Sequence, residues 1–253
     1  MYHNIPSIHL LNCPIHAITM DETVNVIDKA IKQRARLHHV VVNAAKLVKM
    51  KTDSSLRASV VNCDIINADG QSLVWAAKLL GLYLPERVAG IDLMERLVML
   101  AYYKGYKIFF LGAKQEVVST VVDKYATEYG TSIIAGYRNG YFKKDEEAEV
   151  AKEIAASGAD ILFVAMSSPK KEIFLNEYKD IIDVAFVMGV GGSFDVVSGK
   201  VKRAPIWMQK GGLEWLYRVI QEPRRMWKRY LVTNTLFIGR VFNALLKRWI
   251  PYY

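Results

Sequence analysis

The sequence predicts an α/β fold: a Rossmann-like, mostly parallel sheet with helices on both faces, extended by a C-terminal helical appendage that is strongly basic. Three observations carry this expectation. Six short apolar runs alternate with stretches of helical periodicity, the pattern of a parallel sheet covered on both sides. Several of the runs end in Asn, Asp or Gly, as strands do where they turn into helices. After about Lys200 the alternation stops, and two helical stretches rich in Arg, Lys, Trp and Leu follow.

Taken in order, residues 21–35 read as a helix with Val24, Ile27, Ala30 and Ile31 on one face. The apolar run 37–42 is a strand, closed by Asn43, and residues 44–50 are helical. The run 60–66 is the next strand. It ends in Asn67-Ala68-Asp69-Gly70, and a helical pattern starts at Ser72. The segment 84–90 is a loop, and Asp92 is the expected N-cap of a helix through Tyr103. Strand 107–112 ends in Gly112, and a valine-faced helix runs from there to Tyr129. Residues 131–135 form a short strand, 136–142 an aromatic, glycine-punctuated loop, and 146–157 a polar, exposed helix. Strand 160–166 leads to a helix through Tyr178, with Ser168 as cap and Pro169 at its first position. The last strand, 183–190, runs into Gly191-Gly192-Ser193-Phe194-Asp195. Residues 207–221 and 223–248 are helical. The boundary near 200–204 divides a core, residues 1–203, from an appendage, residues 204–253.

Composition narrows the function. At 253 residues and 52% hydrophobic content the chain can bury a large core. Two cysteines without C-x-x-C spacing fit a reducing compartment. The N-terminus lacks the features of a signal peptide, and no apolar run reaches the length of a membrane-spanning helix. The net charge of +9 is local: from Lys200 to Tyr253 there are twelve Lys and Arg against two acids. A segment of this kind seeks anionic lipid, phosphate-bearing substrates or nucleic acid. Its tryptophans and leucines, and the lack of any recognition motif, favour an anionic membrane surface over nucleic acid. All five histidines lie within the first 39 residues, which gives no support to a histidine triad or a clustered zinc site. There is no D-x-D pair, so no metal cofactor is expected. Leaving-group charge then falls to arginines and helix N-termini. An oxidoreductase is disfavoured because the G-x-G-x-x-G fingerprint is absent.

Asp69 is the leading candidate for chemistry. By spacing alone, an Asp before a helix is more often a cap. A carboxylate at a helix N-terminus is also favoured in its charged form and ready to take a proton from an alcohol. Gly112 offers a place for a diphosphate on helix N–H groups, or an ordinary turn. The glycines at 189, 191 and 192 allow close backbone approach by a ligand. Asp195 then binds a sugar or ribose hydroxyl, or caps a turn. Arg218, Arg225 and Lys228 share a face if the helix continues through Pro223, and arginine forks match diphosphate geometry.

Six blocks occur in order: Asn67-Ala68-Asp69-Gly70, Arg87 to Leu93, Val164 to Glu172, Gly189 to Asp195, Gly199 to Pro205 and Gly212 to Arg218. Together they resemble the WecG/TagA/CpsF family of bacterial glycosyltransferases, and the likeness runs from about Asn43 to Arg225. The resemblance implies an inverting transfer from a UDP-sugar to a polyprenyl-diphosphate-linked sugar, at the cytoplasmic face of the cell membrane, in cell-surface polysaccharide synthesis. The donor implied is N-acetylmannosamine or its uronic acid, with glucose-type transfer as the alternative. It implies a Rossmann-like core whose appendage meets the membrane and helps close the site. Asp69 falls on the family's proposed base, with Asn43 and Asn67 beside it, and Arg218, Arg225 and Lys228 fall on or near the basic positions thought to engage the diphosphate. Two positions depart from the pattern. Lys171 stands where the family usually has Gln, close to a bound sugar, and suits a carboxylate or phosphate. Val41 stands where some members carry Thr. Whether the protein forms a homo-oligomer is left open by the sequence.

Overall fold

The computed structural model describes residues 5–249, except the side chains of Arg225, Arg229, Arg248 and Trp249. The expectation for the Arg225 side chain therefore lies outside the described residues.

A hairpin comes first, β1 (Ser7–Leu10) and β2 (Cys13–His16). Leu10 pairs with Cys13 across a two-residue turn, Leu11-Asn12, with both residues at positive φ. That is the geometry of a type I′ turn, normally signalled by Asn-Gly or Asp-Gly. With Leu in the first place the sequence carries no such signal, and the hairpin was not expected.

The main sheet holds β3 (Leu37–Val42), β4 (Ile65–Ala68), β5 (Ile108–Gly112), β6 (Ile134–Arg138), β7 (Ile161–Ala165) and β8 (Phe186–Gly189). Its order is β4-β3-β8-β7-β5-β6, and every neighbouring pair is parallel. The connecting helices are α1 (Met20–Lys32), α2 (Ala44–Lys49), α3 (Ser54–Val61), α4 (Gln71–Leu79), α5 (Gly90–Lys104), α6 (Gln115–Tyr129), α7 (Glu147–Ala156), α8 (Lys170–Glu177) and α9 (Ser193–Val197). After them come α10 (Ile206–Lys210), α11 (Glu214–Gln221) and α12 (Pro223–Trp249).

The period-two alternation of strand side chains divides the core. Ile65, Phe110, Phe163, Phe186 and Met188 face α1, α5, α6 and α9. Val40, Val42, Ile66 and Ala68 face the hairpin, α2, α3, α4 and α12. Phe109, Leu111, Leu162 and Val164 face α7 and α8. Helices thus cover both faces, as the strand–helix alternation predicts. Phe237 and Val241 of α12 are buried in the second cluster, and Arg240 donates to the carbonyls of Leu47 and Val48 at 3.0 and 3.1 Å. The basic appendage is docked on the core through the end of α2.

Several local expectations are corrected. Val60 belongs to a helix: Asp53 caps α3 through Leu56 N–H, and Leu56 and Val60, four apart, are its buried stripe. The strand begins only at Ile65. Residues 131–133 are a 3₁₀ turn, so that strand starts later and takes in Gly136. Asp92 lies in the first turn of α5, whose N-cap is Ala89. Pro169 is the N-cap of α8 and Ser168 makes no cap bond. The helix α7 is amphipathic, with Val150, Ala151 and Ile154 buried. Gly211-Gly212 separates α10 from α11, with Gly212 at φ +66°. The helix does not run on through Pro223: α11 ends at Gln221, and Glu222 has left helical geometry. Arg218 and Lys228 therefore stand on different helices.

Candidate active site

At the carboxyl end of the sheet the chain leaves β3 for α2 on one face, and leaves its neighbour β8 for α9 on the other. Adjacent strands with outgoing helices on opposite faces open a crevice, the usual ligand position in such sheets. Asn43, Asp69, Lys171 and Gly189–Gly192 all lie at the ends of β3, β4, β7 and β8 around it.

Asp69 is half-buried, and its N–H donates to Val42 O at 2.8 Å. It does not cap the helix that follows, because α4 starts from Gly70 with no side-chain cap. Instead its Oδ1 accepts from Gly90 N–H at 2.9 Å, the first residue of α5. The capping reading is thus met in part: Asp69 sits at a helix N-terminus, but that helix starts twenty-one residues further along the chain. One carboxylate oxygen is engaged, and no protein donor stands on the other among the described residues. Asn43 caps α2, its Oδ1 accepting from Lys46 N–H at 3.0 Å. Asn67 is fully buried in β4, with its Oδ1 accepting from His39 Nε2 at 2.8 Å, and offers no surface to a ligand. Burial pushes the His39 imidazole down to about 3, so the ring is neutral.

A charged cluster forms the floor. Glu172 Oε1 lies 3.1 Å from Lys46 Nζ and 3.5 Å from Lys171 Nζ, and the side chains of Glu172 and Lys171 are only 4% and 7% exposed. Burial opposes ionisation of Glu172, but Lys171 and Lys46 outweigh it and hold the carboxyl at about 2. Burial, then repulsion from Lys46, lowers the Lys171 ammonium to about 8, against the attraction of Glu172 and Asp69. Sequence reasoning singled out Lys171 but missed Glu172 and Lys46, which are 126 residues apart. The only signal was an adjacent Lys-Glu pair at a helix start.

The three glycines after β8 differ. A Cβ on Gly189 would lie 2.5 Å from Lys171 Cε, so this glycine makes room for the lysine rather than for a ligand. Gly191, at φ +55°, and Gly192 face open space. Gly112 is explained by the fold: its φ is +124°, and an added Cβ would lie 2.4 Å from Ala165 O. Asp195 pairs with Lys200 at 3.3 Å.

The appendage reaches the crevice through α5 and α4. Arg87, before α5, forms an ion pair with Glu214 of α11, and Arg203 pairs with Asp92 of α5 at 2.6 Å. Gly212 abuts Gln71 and Trp75 in α4, just beyond Asp69. Arg218, one turn beyond Glu214, is exposed and lines a small cleft with Ile91, Val196, Lys202 and Arg203. Lys228 is exposed on α12. Besides its docked face, α12 carries an exposed apolar stripe: Trp227, Leu231, Ile238, Phe242 and Leu246. Among the described residues no helix is long and apolar enough to cross a membrane, and no three His, Cys, Asp or Glu side chains are grouped to hold a metal ion.

Comparison with known proteins identifies the family of the chain. The family model described as "Glycosyl transferase WecG/TagA/CpsF family" matches residues 8–250. A protein of Bacillus subtilis (strain 168), named N-acetylglucosaminyldiphosphoundecaprenol N-acetyl-beta-D-mannosaminyltransferase, is 43% identical over 168 residues, covering 66% of this chain and 64% of the relative. A protein of the same name from Bacillus spizizenii (strain ATCC 23059 / NRRL B-14472 / W23) is 40% identical over 186 residues, covering 74% of this chain and 69% of the relative. The aligned part thus spans slightly under two thirds of the first relative's length.

Proposed function

Because the chain belongs to the WecG/TagA/CpsF family of glycosyltransferases, we propose that it moves N-acetylmannosamine, or its uronic acid, from a UDP-sugar to N-acetylglucosamine carried on undecaprenyl diphosphate. The names of the two Bacillus relatives support this donor and acceptor. The observation that carries the mechanism is Asp69: a half-buried carboxylate at the carboxyl end of β4, fixed through one oxygen by Gly90 N–H. Its other oxygen takes the proton from the acceptor hydroxyl as that hydroxyl attacks the anomeric carbon of the donor. A single displacement inverts that carbon, and UDP leaves. Fixing the carboxylate on a helix start rather than on a mobile loop keeps the reacting geometry.

The open space at Gly191 and Gly192 admits the donor. Arg218, Arg225 and Lys228 meet diphosphate charge, without a divalent metal. The appendage lies on the cytoplasmic face of the membrane, with the exposed stripe of α12 among lipid chains and its basic residues at anionic head groups. The test is a panel of UDP-sugars with a soluble lipid-diphosphate-N-acetylglucosamine acceptor, scored by UDP release with and without a chelator. UDP-N-acetylmannosamine or its uronic acid should turn over, and chelation should leave the rate unchanged. Release of UDP only from glucose-type donors would replace the donor assignment.

A further inference from the structure

The rim around Asp69 changes character from one side to the other. Toward α5 it is charged, with Arg87 against Glu214 and Arg203 against Asp92. Toward α4 it turns apolar. That helix starts two residues after Asp69. Its residues Gln71, Trp75 and Leu79 recur every fourth position and so stand one above the other on a single face. The face runs from polar to apolar with distance from Asp69. Trp75 is 49% exposed and Leu79 63%. At 1.5 Å of rise per residue, Gln71 to Leu79 spans about 12 Å. The fold gives Trp75 a fixed place. Gly212, in the turn between α10 and α11, lies against it: an added Cβ would come 2.9 Å from Trp75 Cη2 and 3.0 Å from Gln71 Cβ. Gly212 also has φ +66°, so glycine serves both the turn and the contact. The indole is thus seated on the seam between core and appendage, one edge covered and about half of the side chain open to solvent. The same turn closes α10, on which Ile206 and Trp207 are exposed.

We propose that this face of α4 seats the polyprenyl chain of the acceptor: Trp75 and Leu79 hold the first isoprenoid units where the chain leaves the diphosphate, and so keep the terminal sugar beside Asp69. The inference rests on the reading of the acceptor as a sugar on a lipid diphosphate. Such an acceptor is polar at one end and apolar at the other, and the gradient from Asp69 through Gln71 to Leu79 matches it in direction. Covering Trp75 and Leu79 with hydrocarbon takes their apolar area out of water, which favours a long-chain acceptor over a short one. Tryptophan suits the boundary between the two halves of the ligand, because its ring packs on hydrocarbon while its N–H serves a polar group. Anchoring the start of a flexible chain also restricts the orientations open to the sugar it carries. Trp75 and Leu79 are positioning residues here; the reacting atoms belong to Asp69 and the two sugars.

The experiment compares two acceptors, N-acetylglucosamine diphosphate esterified to undecaprenol or to a methyl group, for the wild type, Leu79→Ser and Trp75→Gln. Leu79→Ser should raise KM for the undecaprenyl acceptor at least tenfold, with kcat and the KM for the UDP-sugar unchanged. With the methyl acceptor its kcat/KM should stay within twofold of the wild type. Trp75→Gln should show the same split between acceptors. An equal loss on both acceptors overturns the proposal, since the side chain then only supports the packing of the appendage. Two further readouts need no turnover. Leu79→Ser should co-sediment like the wild type with anionic vesicles that contain no acceptor; weaker sedimentation assigns the face to the bilayer itself and overturns the proposal. Sedimentation velocity should give wild type and Leu79→Ser the same mass; a smaller mass for the variant assigns the face to a second copy of the chain and overturns it as well. Failure of the underlying reading looks different. In that case the wild type transfers sugar to neither acceptor, whereas failure of the proposal alone leaves the wild type active on the undecaprenyl acceptor and Leu79→Ser equal to it.

Discussion

Replacing Asp69 in two ways separates its chemistry from its role in the fold. Asp69→Asn keeps an oxygen in place of Oδ1, so the bond from Gly90 N–H at 2.9 Å is retained. Asp69→Ala removes it. The N-cap residue of α5, Ala89, has no side chain able to take its place, and an N-terminal N–H of a 15-residue helix is left open. Loss of a capping bond costs about 0.5–2 kcal/mol. For a chain of this size each kcal/mol lowers Tm by about 2–4 °C. Asp69→Ala should therefore melt a few degrees lower, and Asp69→Asn close to the wild type. Both lose the base. General base catalysis is worth about 10²–10⁴-fold, equivalent to about 3–5 kcal/mol of transition-state stabilisation. The assay is UDP release at saturating acceptor, with Tm measured by scanning calorimetry on the same preparations. The expected pattern is two variants equally inactive but unequal in stability. Turnover by Asp69→Asn within tenfold of the wild type would refute the base. Equal melting of the two variants would refute the capping role.

Three further outcomes are expected. Arg240→Ala removes two charge-assisted bonds to the last carbonyls of α2. It should cost about 1–3 kcal/mol and speed hydrogen exchange along α12, as measured by mass spectrometry. Replacing Trp227 and Phe242 by Ser empties two positions of the exposed stripe on α12. Co-sedimentation with anionic vesicles should weaken by tenfold or more, given about 1.5–3 kcal/mol for each large apolar side chain buried. Acid should destabilise the fold in two stages. The imidazoles of His38 and His39 are depressed from 6.5, so their contribution is complete above pH 6.5 and is lost as the pH falls toward about 4 and about 3. Glu172 is depressed from 4.5, so its contribution is lost only below 4.5, as the pH falls toward about 2. Chemical denaturation midpoints between pH 3 and 8 should begin to fall below 6.5, where two imidazoles stay unprotonated only in the fold, and should keep falling below 4.5 as Glu172 joins them. A midpoint constant down to pH 4 would contradict this.

What could be read in the sequence follows the range of the forces involved. Five of the six strands of the sheet are largely buried and mostly apolar, and local composition marks them to within five residues; the edge strand β6 has no buried residue and is marked less sharply. The errors came where two patterns coincide. Val60 continues an apolar run in sequence but closes a helical stripe with Leu56 in space. The β1–β2 hairpin turns on Leu11, which gives no turn signal. The polar residues at strand ends, Asn43 and Asp69, were visible because parallel strands present their carboxyl ends to one edge. Their partners were not visible. Gly90 reaches Asp69, Glu172 reaches Lys46 and Glu214 reaches Arg87 only through the crossing order of the sheet, which no local window contains. Gly189 shows the limit from the other side: its density of neighbouring glycines pointed to a ligand, whereas the space it leaves is taken by Lys171.

The contact between Gly189 and Lys171 also ties the two positions together. While lysine occupies 171, a side chain at 189 meets buried atoms at 2.5 Å. Once residue 171 is shortened, position 189 is released to accept alanine or serine. With lysine in place, a side chain at 189 requires the buried stem to shift, so the two positions are sterically coupled and glycine is the residue that leaves the lysine where it lies.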